Sequence, residues 1–171
     1  MRQQARLGMA LFLLNEAVFF FMLIAAFVYF RASSLPTATA SLNPRVTAIY
    51  TLCLLISSFT MWRASTGGAR AWTTGTLVLG AIFLFGQGSE YLRLFRQNVT
   101  ISQGLFGSTF FTLTGLHGLH VLIGLLLLIV LWSAKDAPGQ TARAGAIALY
   151  WHFVDAVWLV IFSVVYLWTF L

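Results

Sequence analysis

Apolar residues run through this chain in five long stretches separated by short polar connectors. The stretches are Leu7–Phe30, Arg45–Trp62, Ala71–Leu92, Leu105–Trp132 and Ala144–Leu171. A helix needs about 20 residues to cross a bilayer, and each stretch is near or beyond that length. No water reaches the backbone inside hydrocarbon, so runs of this kind predict helices. The connectors carry turn formers: Ser33-Ser34-Leu35-Pro36, Asn43-Pro44, Thr66-Gly67-Gly68, Arg96-Gln97-Asn98 and Asp136-Ala137-Pro138-Gly139. The expected architecture is all-α, a single membrane domain over residues 1–171 built as a bundle of five transmembrane helices. The first run is broken by Asn15 and Glu16 and shows no small-residue cleavage site, so it reads as a retained span.

Composition sharpens this picture. The 171 residues are 60% hydrophobic and 8% charged, with a mean hydropathy of +0.88. Soluble domains carry about a quarter charged residues, so a soluble globule is excluded. No length remains for a separate catalytic domain outside the membrane. The net charge of +6 does not point to nucleic acid, because the ten basic residues are scattered beside the spans. Arg2, Arg6, Arg63, Arg70, Lys135 and Arg143 fall on one side, and Arg31, Arg45, Arg93 and Arg96 on the other. That bias predicts the N-terminus inside and the C-terminus outside. Cys53 lies in an apolar run and reads as a small filler.

The polar groups inside the spans are the candidate chemistry. They are Glu16, Glu90, His117, His120, His152 and Asp155. Ionisable residues are costly at that depth and are functional candidates by default. Glu16 lies nine residues past Leu7, about 14 Å into the first span at 1.5 Å per residue. It fits either a proton-exchanging or lipid-contacting carboxyl, or a protonated acid bonded to a neighbouring helix. Glu90 has Arg93 three residues on, the spacing of an ion pair on one helix face. His117 and His120 are likewise three apart, and so are His152 and Asp155. The histidines fit metal ligands only if His152, Asp155 or Glu90 completes the set. With no cysteine cluster and no ordinary zinc motif, buried histidines bonding across helices are the simpler expectation. His152 with Asp155, together with the other pair, then reads as a polar seam holding the last two helices in register. Glycines crowd the third and fourth spans (Gly75, Gly80, Gly86, Gly88, Gly115, Gly118, Gly124), as close helix packing requires. Tyr29, Trp62, Trp72, Tyr91, Trp132 and Trp168 fit interfacial belts. No nucleophile triad, phosphate loop or paired-carboxylate site is present, and the residues alone suggest a subunit of something larger.

Two segments then carry a family resemblance. GSTFFTLTGLHGLHVLIG at 107–124 and YWHFVDAVW at 150–158, followed by Tyr166 and Trp168, resemble the signatures of subunit III of haem–copper terminal oxidases, the cytochrome c and quinol oxidase group. LGMALFLLNEAVFFF resembles the glutamate-bearing helix of that family, and QGSEYLRL with ISQGLFGSTFF falls in the expected order. The resemblance covers nearly the whole chain and is closest to a short, five-helix form. It implies a non-catalytic subunit of the bacterial inner membrane in aerobic respiration. Such a subunit packs on the catalytic subunit I, supports proton uptake and guards against turnover inactivation. It binds no haem or copper itself, those cofactors lying in the partner, and it holds phospholipid. By the same resemblance Glu16 matches the family's buried, carbodiimide-reactive glutamate. Glu90, His117, His120, His152 and Asp155 match its recurring polar positions, and Lys135 falls near residues that contact lipid headgroups. Asn15 departs from the pattern, standing where Ser or Ala is common. A second reading is a subunit-III-like accessory of nitric oxide reductase, which shares the helix pattern.

Overall fold

The computed structural model describes residues 2–67, 70–102, 104–134 and 139–170, and their side chains except at 2–6, 33–36, 67 and 170. The helices are α1 (Arg2–Tyr29), α2 (Arg31–Ser41), α3 (Pro44–Gly67), α4 (Arg70–Arg96), α5 (Leu105–Ser133) and α6 (Gln140–Phe162). A π-helical turn, Ser163–Leu167, then leads into α7 (Trp168–Phe170). Among the described residues, four segments are long and apolar enough to cross a membrane: Leu7–Tyr29, Pro44–Thr66, Leu105–Ser133 and Gln140–Leu167. That is one fewer than the hydrophobic pattern predicts. The remaining helix, α4, is 27 residues long. Thr73, Thr74, Thr76, Gln87 and Glu90 dilute its apolar character.

The connector expected at Ser33–Pro36 is instead part of helix α2, even though Pro36 lacks an amide donor. Tertiary burial outweighs the local turn preference: Ala38, Ser41 and Leu42 are all under 10% exposed, and α2 packs against α5 and α7. Asn43-Pro44, also expected as a connector, starts α3. Asn43 Oδ1 accepts the Val46 amide at 3.4 Å, and Pro44 takes the first helical position, where no donor is needed. Helix α4 ends in a left-handed Asn98 (φ 58°), with Asn98 N–H bonded to Phe95 O and Val99 N–H to Leu94 O. This paired closure satisfies the last carbonyls of the helix.

Helix α6 is central and packs against α1, α3 and α5, while α4 lies against α3 and α5. Trp151 of α6 shows how the glycines permit this. Its indole lies against Gly80 of α4 and Gly124 of α5, where an added Cβ would come within 2.7 Å and 2.9 Å of the ring. Its Nε1–H donates to Ser57 of α3 at 3.0 Å. One side chain thereby ties together four helices. At the bundle's ends, guanidinium groups cover indoles: Arg70 over Trp132 at 3.6 Å, and Arg31 over Trp168 at 4.2 Å. Tyr91 differs from the belt expected for it, because its hydroxyl is bonded to Thr114 at 2.7 Å inside the bundle.

Candidate functional site

Glu16 and His120 meet between α1 and α5. Glu16 Oε2 lies 3.1 Å from His120 Nε2, and both side chains are largely buried. The other imidazole nitrogen, Nδ1, is 2.7 Å from the Leu116 carbonyl one turn back. A carbonyl only accepts, so Nδ1 must carry its hydrogen. The contact between Nε2 and Oε2 then needs one proton, which belongs either to the carboxyl or to the ring. Both arrangements have no net charge. Phe20 stands edge-on to the His120 ring with centroids 5.0 Å apart, and the Tyr150 hydroxyl donates to the His120 carbonyl at 3.0 Å. These contacts fix where the imidazole sits.

The other sequence candidates do not form one continuous seam. His117 is 1% exposed, and neither ring nitrogen has a hydrogen-bond partner. Its ring stacks on Trp158 (4.9 Å, 27°) and meets the Phe83 ring at 6.0 Å. Within this chain aromatic rings surround this histidine. His152 and Asp155 both lie near Ser58. His152 Nδ1 is 2.7 Å from the Ser58 hydroxyl of α3, whereas both Asp155 oxygens lack a hydrogen-bond partner. Among the described residues, no three His, Cys, Asp or Glu side chains converge as a metal site would require.

Glu90 has a full set of donors. Arg93 Nη2 reaches Oε1 at 2.7 Å, while Thr47 Oγ1 and Tyr166 OH donate to Oε2 at 2.6 and 3.2 Å. The carboxylate thereby joins α3, α4 and the π-helical turn. That turn holds one residue more than an α-helical turn, which rotates the residues beyond it about the helix axis, and Tyr166 within it is fully buried. Sequence reasoning named Tyr166 without seeing this contact, since no local signal marks a π-helical turn. Cys53 is only partly buried and free. Lys135, expected near lipid headgroups, lies outside the described residues.

Comparison with known proteins places this arrangement in a family. The model for cytochrome c oxidase subunit III matches residues 1–170. The chain belongs to the cytochrome c oxidase subunit III family. It is 38% identical to a probable cytochrome c oxidase subunit 3 of Nocardia farcinica over 173 residues, which cover 93% of this chain and 85% of that one. It is 36% identical to the cytochrome c oxidase subunit 3 of Corynebacterium diphtheriae, covering 93% and 85% of the two chains. It is 38% identical to that of Synechocystis, covering 94% and 74%. As a subunit III, the chain is a membrane component of a multi-subunit oxidase.

Proposed function

We propose that this subunit III is non-catalytic, packs on the catalytic subunit I, and supports proton uptake and durability of the enzyme during oxygen reduction. The observation that carries the reading is the Glu16–His120 contact, which in this reading holds one proton inside the bundle. In this reading five helices cross the bacterial inner membrane, with the N-terminus inside and the C-terminus outside. Helix α4 is the fifth, tolerated because its polar groups face neighbours. Thr76 bonds Thr60 at 2.8 Å, and Gln87 and Glu90 are buried. Haem and copper stay with the catalytic partner. A groove of about 390 Å³ between α4 and α5, walled by Leu84, Gly115, Gly118 and Leu122, suits a phospholipid acyl chain.

The test is Glu16→Gln in the intact oxidase. Glutamine keeps the size and can still donate to His120 Nε2, but it cannot release the proton. We expect normal assembly, with fewer turnovers before inactivation or slower proton uptake. Wild-type behaviour in both measurements would reduce Glu16 to a packing residue.

A further inference from the structure

Asn15 faces outward from α1, eight residues past Leu7 and about 12 Å into the span by helix rise. It makes no hydrogen bond within the chain among the described residues. Several other polar side chains on the long helices bond a carbonyl about one turn back. Thr74 donates to Arg70 O at 3.1 Å, Ser89 to Gly86 O at 2.7 Å, Thr109 to Leu105 O at 2.7 Å and Ser163 to Leu159 O at 2.7 Å. The Asn15 amide does not, so two N–H donors and a carbonyl oxygen point into hydrocarbon. Burial of such an amide without partners is costly. Helix α1 is also the least buried of the four spanning segments. Gly8, Leu11, Asn15, Val18, Met22, Ala25 and Tyr29 are all exposed. Their alternating spacings of three and four residues form the seam that a second helix follows at a shallow crossing angle.

We propose that this face of α1 docks a transmembrane helix of a partner subunit, with Asn15 as its hydrogen-bonding anchor. The partner carries an amide, hydroxyl, carboxyl or imidazole at the same depth. Lipid fits poorly, because acyl chains offer no hydrogen bond and headgroups lie roughly 12 Å away. A second copy of this chain also fits poorly. Close self-pairing relies on small residues repeated along the seam, whereas Leu11, Asn15, Val18 and Met22 fill this one between Gly8 and Ala25. The inference rests on membership of a multi-subunit membrane complex and not on the proton role of Glu16.

The experiment uses the intact complex and reads no turnover. A photo-cross-linking residue in place of Leu11, one turn from Asn15, should yield an adduct with a membrane helix of a different subunit. Asn15→Leu should speed loss of this chain from the complex in mild detergent by about three- to tenfold, and Asn15→Gln should largely restore it. Adducts with lipid only, adducts between two copies of this chain, or unchanged retention of Asn15→Leu would each overturn the proposal.

Discussion

Glu90 and Asp155 are both carboxyls buried in helical bundles, yet their surroundings assign them different weights. Glu90 accepts from three side chains on three elements, and its loss strands the Tyr166 hydroxyl, leaves Thr47 only its longer bond to the Asn43 carbonyl and frees Arg93. Stranded buried donors cost about 1–3 kcal/mol each. We therefore expect Glu90→Leu to destabilise the chain by about 2–4 kcal/mol, seen as a lower midpoint of thermal unfolding in the purified complex. Asp155 has only the Ser58 hydroxyl beside it, and that hydroxyl is already engaged with His152. Replacing a buried polar group with so little satisfaction is often neutral. Asp155→Leu should therefore unfold at or above the wild-type midpoint. A Glu90 variant as heat-stable as wild type, or an Asp155 variant as weak as Glu90→Leu, would contradict these assignments.

At the scale of the helices, the bundle depends on close approach where α6 meets α4 and α5. The Trp151 indole fills the space left by Gly80 and Gly124. A methyl group on Gly124 would press on the rigid ring system, whose nearest atoms would lie 2.9 Å away. Overpacking of this kind costs about 1–3 kcal/mol. We expect Gly124→Ala to lower the yield of assembled complex, and Trp151→Leu in the same chain to recover part of it. Equal yields from Gly124→Ala and wild type would show that the helices can part at no cost. The two outward glycines contrast with this pair: nothing lies within 4 Å of a Cβ at Gly8 or Gly88. A glycine count alone therefore overstates how many of them are needed for packing.

Across the whole molecule, the sequence exposes whatever depends on local composition. The long apolar runs marked α1, α3, α5 and α6, because about 20 apolar residues have few other uses. Asn43-Pro44 lay at a true boundary for the same local reason. Helix α2 was hidden, since Ser33 to Pro36 read as a turn and the burial of Ala38 and Leu42 that holds it is tertiary. The six polar candidates were legible as residues but not as partners. Glu16 and His120 are 104 positions apart, and nothing in either segment names the other. His117 and His120 look equivalent in sequence, yet a small rotation puts one among aromatic rings and the other on a carboxyl. The central claim is that Glu16 and His120 act as one proton-holding unit in the assembled oxidase. It is tested most directly by counting turnovers before inactivation for Glu16→Gln, His120→Phe and the double variant. The account predicts that each single change shortens the count and that the double change shortens it no further, as expected when two residues act as a unit. Losses that simply add, or a count equal to wild type in either single variant, would contradict it.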